Sequence, residues 1–570
     1  MLKTLHLGNF KAFGEAQPIP LRPITLLFGP NSAGKSSVIH GLLLANHALK
    51  TGDLDVYQTE TGGTSVDLGG FRQYVHRHRT DQTVLWAVEI ETRDFEGRLA
   101  ELMTPVRAVR VSVEIGMEQE EIKEKVLLPD EARFVEETVG YRAVGDPHVQ
   151  VIQIEADGQR LLRMSRRPEG HLQLDTLNTD HPVIQQVVRS IIELATTSEF
   201  TEDDAAALNA IIAGLLPALH ASASHLLPDG LNIALRRDAE RLLFFPISQG
   251  DREKDLGNAV HFYLPRALND LLHGLHEALS DDLTRLVYLG PLRSNPPRHL
   301  AFAEGMDPNW HAGGGRAWDV LRRDAAVRKS VNAWLSAPDR LQTPYEVRIQ
   351  RQIPADSQQI FDVLYDGLSE VEQAIWEGMD GVEVERGVYE PESTWDQEEY
   401  ARKLSERLAD PGAVEGYDEL ILYDLKRDIP VSHRDVGVGV SQVMPVLVYA
   451  FASKGQIIAI EQPEIHVHPK LQAELGDVFI EGAVGERGNT FLIETHSEHL
   501  ILRLLRRIRE TAEGSLADKR YALTPDDVSV LYVDPTAVSA KVVPMRVTED
   551  GDFENDWPGG FFTERERELF

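Results

Sequence analysis

Ile24–Phe28 reads ITLLF, a short apolar run set between Pro23 and Gly29, and it predicts a fully buried strand. From Gly34 onward the spacing changes to that of a helix, with Val38, Leu42 and Leu43 on one face. The chain therefore opens as strand, glycine-containing loop, helix. Between Thr83 and Met164 the period becomes two, in VLWAVEIE, VRVSVEIGM and VQVIQIEA, with short polar separators. That alternation predicts half-buried strands paired antiparallel. Thr201-Glu-Asp-Asp204 has the spacing of a capping box, with Asp204 in the place of the usual glutamate. Behind it, Leu208, Ile211, Ile212, Leu215 and Leu216 trace one apolar helix face. LVYLGPLR (Leu286–Arg293) returns to a buried strand, and the last apolar strands, Gln456–Ile460 and Thr490–Glu494, sit among helical patterns. Together they imply an α/β sheet.

No internal repeat, low-complexity linker or long heptad arm is present in the sequence. The expected division has six parts. Residues 1–180 form an N-terminal half with the glycine loop and antiparallel strands, and residues 181–285 an inserted helical subdomain. Residues 286–300 give a return strand of the core, and residues 301–415 a mixed, acid-rich insertion. Residues 416–520 form the C-terminal half, and residues 521–570 a small terminal domain.

Composition narrows the class. No stretch approaches the roughly 18 uninterrupted apolar residues a membrane span needs, and MLKTLHLGNFKAFG lacks the apolar core of a secretory signal. The chain has no cysteine, which excludes disulfides and thiolate metal sites and points to a reducing, cytoplasmic setting without membrane contact. A formal charge of −33, from 58 basic and 91 acidic residues, repels a phosphate backbone. Any DNA contact is therefore expected to be local or through a partner. Acid is densest in Asp366–Tyr400, where twelve carboxylates face the single Arg386, as in an exposed insertion or partner surface.

The strongest chemical signal lies at the first loop. Gly29-Pro30-Asn31-Ser32-Ala33-Gly34-Lys35-Ser36, with Ser37 behind it, fits G-x-x-x-x-G-K-[ST] at every fixed position. Glycines let backbone amides converge on phosphate oxygens, and the following helix N-terminus adds partial positive charge. Lys35 would reach the β- and γ-phosphates of ATP, and the Ser36 hydroxyl would coordinate Mg²⁺. The strand before it and the helix after it are the context the motif requires.

IIAIEQPEIHVHP (Ile457–Pro469) is an apolar strand ending in acids. Glu461 is placed to hold the metal and its water shell. Gln462 stands where a glutamate would polarise the attacking water, and an amide cannot accept that proton; Glu464 is the alternative acid. His496, directly after the TFLIE strand, is a candidate for bonding a γ-phosphate or catalytic water. Gly437, Gly439 and Ser441 open the helix MPVLVYAF with an amide-rich turn suited to phosphate.

Four weaker candidates stand beside these. Gln73, in GGFRQYVHR, is a candidate glutamine linking the metal to the insertion. His466-x-His468 lacks a third metal ligand and reads better as a loop contacting another subunit. Arg503, Arg506, Arg507 and Arg509 offer a DNA contact, with a solvated or subunit-contacting face the preferred reading. Trp557, Phe561 and Phe562 are expected to pack the tail on the head.

Taken together, these segments resemble the ABC-type ATPases of the OLD/RecF/SMC branch. NFKAF (Asn9–Phe13) looks like that family's opening strand-turn, with Lys11 where a basic residue approaches the nucleotide. GVGVSQVMP resembles its signature segment, EQPEIHVHP the second nucleotide motif, and ETHSEHL the switch-histidine segment. LVYLGPLR, GGGRAWDVL and DWPGGFF look like a bacterial subfamily with a short C-terminal domain. The resemblance covers both ends, about half the chain, and hardly touches the two insertions.

It implies an ABC-type P-loop ATPase head, with split nucleotide-binding halves, that uses ATP and Mg²⁺. It also implies a homodimer or higher homo-oligomer with ATP sandwiched between one subunit's phosphate loop and the other's signature segment. Two departures qualify it. The signature serine position falls on Gly437, leaving its work to Ser441 or backbone amides. Gln462 in place of the catalytic glutamate implies slow hydrolysis. Asp526, Asp527 and Asp534 do not reproduce the acids of a Toprim nuclease. The resemblance therefore implies no intrinsic nuclease, and a separate effector such as the HNH nuclease of two-component anti-phage systems. A repair ATPase acting directly on DNA and a non-enzymatic ATP-dependent interaction switch are the alternatives.

Overall fold

The computed structural model describes residues 2–128, 133–195, 202–222, 225–231, 252–293, 307–338, 340–353, 358–366, 397–410, 416–431, 438–535 and 538–558. The chain forms two compact units. One comprises Met1–Ser294, Pro308–Gly315 and Val438–Phe570; the other comprises Asn295–Asp307 and Arg316–Gly437.

The first unit is built on a six-stranded sheet. Its order is Val287–Leu289, Ile457–Glu461, Thr490–Glu494, Ile24–Phe28, Val528–Pro535, Ala540–Met545. The first five run parallel and the last returns antiparallel. ITLLF, IIAIE and TFLIE are buried at every residue, as strands covered on both faces must be. Parallel strands end on the same side, so distant segments meet at one edge. Glu461 pairs with Glu494, and Glu494 with Leu27, just before the glycine loop. Ligands of open α/β sheets bind outside these carboxyl ends.

An eight-stranded antiparallel sheet adjoins it, in the order Gln17–Pro20, Leu2–Gly8, Val84–Glu91, Ala108–Leu128, Arg133–Ala156, Gln159–Arg166, Leu172–Leu177, His220–Ala221. Val84–Glu91 alternates buried and half-buried positions as its period predicts, except at Ala87, which is buried between Trp86 and Val88. Both sheets share one hydrophobic core with the helices. The Trp86 indole N–H donates to the Gly41 carbonyl at 3.1 Å, tying this sheet to the Lys35–Thr51 helix. The long Arg252–Thr284 helix lies on that same helix, where buried Asn46 Nδ2 donates to the Leu283 carbonyl at 2.6 Å.

Leu208, Ile212 and Leu215 are buried on the Glu202–Leu215 helix. Leu216 falls instead in the tight turn Leu216–Ala218. The cause is Pro217, which has no backbone N–H to continue the α-helical hydrogen-bond ladder. Thr201 of the capping-box reading lies outside the described residues. Trp557 meets Phe28, Tyr532 and Phe553 edge-on, with ring centroids 5.4, 6.2 and 5.1 Å away. Phe561 and Phe562 lie outside the described residues.

The second unit carries a three-stranded antiparallel sheet, Tyr345–Gln352, Tyr417–Asp424 and Ile429–Val431. Its Ala325–Ser336 helix starts on Asp324, whose carboxylate accepts the N–H groups of Ala326 and Val327 at 2.9 and 3.0 Å. Val327, Val331, Trp334 and Leu335 are that helix's buried face. Most of the acidic run, residues 367–396, lies outside the described residues. No described helix is long and apolar enough to cross a membrane.

Candidate nucleotide site

The glycine loop has the backbone its chemistry needs. Gly29 and Gly34 take φ values of 144° and 104°, and Ser32 one of 62°. A Cβ on Gly29 would lie 2.5 Å from the Val533 carbonyl oxygen, and one on Gly34 would lie 2.4 Å from the Ala12 Cβ. Gly34 caps the Lys35–Thr51 helix without a side-chain hydrogen bond, and although the Ser37 N–H donates to the Gly34 carbonyl at 3.0 Å, the helix start still presents the Lys35 and Ser36 amides to an anion. Asn31 and Ser32 are exposed, Pro30 is half-buried, and Ala33 and Ser37 are buried. Gly34→Ala should abolish nucleotide binding and lower stability by about 1–3 kcal/mol, from left-handed strain and the clash. Thermal melting and fluorescent-nucleotide titration would check both.

Lys35 Nζ donates to the carbonyls of Gly29 and Pro30 at 3.1 and 3.0 Å and lies 3.7 Å from Glu494 Oε1. Burial lowers the lysine's pKa, and Glu494 opposes that shift. Ser36 Oγ donates to Glu494 Oε2 at 2.6 Å. Beside them, Glu461 Oε1 accepts the Tyr288 hydroxyl at 3.0 Å and stands 4.0 Å from His40 Nε2. Burial, with the nearby Glu494 carboxylate, pushes Glu461 up to about 7. Lys11 Nζ lies 2.8 Å from His40 Nδ1, and burial holds Lys11 down to about 8 and His40 to about 3. The expected basic residue, phosphate loop and strand-end acid thus gather in one place.

Glu464 has both oxygens engaged. Oε2 accepts the Thr495 hydroxyl at 2.8 Å and Oε1 the His496 backbone N–H at 2.7 Å. Burial raises its pKa. His496 has its pKa lowered by burial and by the Lys35 charge, and its Nε2 is buried without a protein hydrogen-bond partner. A neutral imidazole with one free ring nitrogen suits a ligand oxygen or a water. Gln462 takes φ 46°, and its N–H donates to the Glu494 carbonyl at 2.7 Å.

Gly439 and Ser441 lie in the first turn of the Val438–Ala452 helix; Gly437 is outside the described residues. A Cβ on Gly439 would sit 2.8 Å from the His466 carbonyl oxygen, so glycine lets this turn pass against the EQPEIHVHP loop. Buried Arg293 links the two. It donates to the carbonyls of Gln442, Glu461 and Gln462 at 3.3, 3.1 and 3.4 Å, and Gln442 Nε2 returns a bond to its carbonyl at 3.2 Å.

Gln73 is exposed on the short Phe71–Tyr74 helix and stands outside this hydrogen-bonded cluster. His468 Nδ1 accepts the Lys470 N–H at 3.2 Å and caps the Pro469–Ala483 helix, a structural duty rather than a metal one. The solvated face preferred for the arginine cluster needs a correction at two of its four residues. Arg503 and Arg507 turn inward, donating to Glu474, Asp477 and Glu510, while Arg506 bonds Glu510; Arg509 is exposed. Asp527 is used in the Thr524 capping box.

The oxygens of Ser36, Glu461 and Glu494 are hard donors that fit Mg²⁺. Among the described residues no three or more His, Asp or Glu side chains gather as a metal site. An ion here would complete its shell with phosphate oxygens and water. Sequence reasoning missed four members: His40, Tyr288, Arg293 and Glu494. Two had a signal. His40 lies four residues after Ser36 on one helix face, and Glu494 ends its strand as Glu461 does.

Residues 355–501 match the AAA ATPase domain family. No curated protein is significantly similar to the chain. Among solved structures, the Smc head domain from Thermotoga maritima is similar at 10% identity and TM-score 0.31, over 96% of this chain and 99% of that one. The Smc head domain with coiled coil and joint from Pyrococcus yayanosii gives 10% identity and TM-score 0.33, over 100% and 99%. Scores this low leave the site to its own geometry. The matched segment carries the Gly439, Glu461 and His496 regions, the parallel sheet brings the last two beside the glycine loop, and the fold is that of a P-loop ATPase.

Proposed function

We propose that this chain binds Mg·ATP at the Gly29–Ser37 loop, hydrolyses it slowly, and uses it as a switch of head-to-head dimerisation. The observation that carries the reading is the meeting of Lys35 and Ser36 with Glu461 and Glu494 at one sheet edge. Lys35 and the free loop amides bind the β- and γ-phosphates. Ser36 and Glu461 hold the ion, which neutralises phosphate charge when bound. His496, fixed through its backbone by Glu464, offers its free nitrogen to the γ-phosphate or the attacking water. Gln462 orients that water without taking its proton, so hydrolysis is slow and the ATP state long-lived. Gly439 and Ser441 serve the partner subunit's nucleotide, and the dimer acts on a separate effector, a nuclease in anti-phage defence. Direct action on DNA is the less favoured reading, because Arg503 and Arg507 are consumed by internal carboxylates.

Lys35→Ala tests the core of this reading. ATP affinity should fall at least about 100-fold, the loss of a strong charge-assisted contact to triphosphate of roughly 3 kcal/mol. The measurement is calorimetric titration, with melting curves to verify folding. Affinity equal to that of the natural chain would refute nucleotide binding at this loop.

A further inference from the structure

Glu494 ends the strand that lies between the one carrying Glu461 and the one feeding the glycine loop. Its side chain is 7% exposed. A strand buried at all five residues gains nothing from an acid at this position, and desolvating a carboxylate is costly. The carboxylate instead points at the two side chains that grip a triphosphate and its ion. It accepts the Ser36 hydroxyl at 2.6 Å and stands 3.7 Å from Lys35 Nζ. Glu461 is its register partner on the neighbouring strand. Gln73, the residue expected to complete the metal shell, is exposed and bonded to none of them.

We propose that Glu494 is a metal-facing carboxylate of the nucleotide site, so that Ser36, Glu461 and Glu494 supply the protein's oxygens to the divalent ion. This rests on the nucleotide reading above. A small hard cation such as Mg²⁺ takes one or two carboxylates together with substrate phosphates and keeps several waters, which is the set assembled here. In the free chain the same carboxylate occupies Lys35 and Ser36. Triphosphate arriving without a cation must displace it and then face two acids. With a cation present, both carboxylates have an opposite charge to meet. Nucleotide affinity should therefore depend steeply on the ion, and Glu494 should be the main source of that dependence.

The test is the affinity of the full chain for the non-hydrolysable analogue adenylyl imidodiphosphate, measured with Mg²⁺ and with a chelator. The natural chain should gain about 100-fold from the ion, and Glu494→Gln should cut that gain by about 10-fold or more, the scale on which groups around a metal tune its binding. Metal-free affinity of Glu494→Gln should rise several-fold, because Lys35 is released. A general loss of structure would weaken both states together. Should Glu494→Gln not fold, Glu494→Asp keeps the charge at shorter reach, and an intermediate gain supports the assignment. A gain equal to the natural chain's in whichever variant folds overturns it. Absence of analogue binding by the natural chain in either condition would instead sink the nucleotide reading, and this inference with it.

Discussion

Gln462→Glu should turn over ATP about 100-fold faster than the natural chain, the lower end of what a positioned general base contributes. The two side chains are nearly isosteric, and both tolerate the left-handed φ of 46° found there equally. The backbone that aims the side chain stays anchored by the Glu494 carbonyl at 2.7 Å and by Arg293 at 3.4 Å. A carboxylate installed here joins Glu461, already held up to about 7, and Glu464, also raised by burial. Their negative charge would push the new acid toward neutrality, where a base is both deprotonated and strong enough to accept a proton. Glu464, the alternative base, spends one lone pair of each oxygen on Thr495 and His496, and such bonds to the charged form lower a carboxylate's basicity. Phosphate release under multiple turnover is the measurement. Equal rates for the two chains would mean that water activation does not limit the cycle, and the slow-timer reading would fail.

What the sequence made legible was local. The glycine loop announces itself because its fixed residues, its strand and its helix lie within a few positions of one another. ITLLF, IIAIE and TFLIE read as buried strands for the same reason. Contacts across the sheet were not legible. Ser36 and Glu494 are 458 residues apart, and Arg293 and Gln442 are 149 apart. Nothing local says that the Thr490–Glu494 strand, not another, lies next to the glycine-loop strand. The arginines show the same limit. Their spacing puts Arg503 and Arg507 on one helix face, but whether solvent or another helix lies opposite depends on packing. His468 was closer to legible, since a proline in the first helical turn follows it directly.

The stability of the site's flank should depend most on one acid in that packing. Asp477→Ala is expected to cost about 3 kcal/mol, the low end for removing one partner from a buried ion cluster. Asp477 lies on the Pro469–Ala483 helix with its side chain 3% exposed. Its Oδ2 accepts from Arg503 at 2.5 Å and Arg507 at 2.7 Å, and its Oδ1 accepts from Arg507 Nε at 2.8 Å. Two guanidiniums, 14% and 13% exposed, would lose their shared counter-charge. Glu474 still pairs Arg503 and Glu510 still pairs Arg507, which keeps the cost at the low end. Leu500, Leu504 and Ile508 remain buried along the Glu498–Ala512 helix, so apolar packing would hold the helix in place while its charged side loosens. A chain of two compact units need not unfold in one step, so a single melting midpoint is a poor readout. Amide hydrogen exchange is better: protection should fall in the Pro469–Ala483 and Glu498–Ala512 helices and stay unchanged in the second unit. The Glu498–Ala512 helix is capped by Ser497, the residue after His496, so loosening it should also weaken the hold on His496. Undiminished protection in both helices would show that apolar packing alone holds them together.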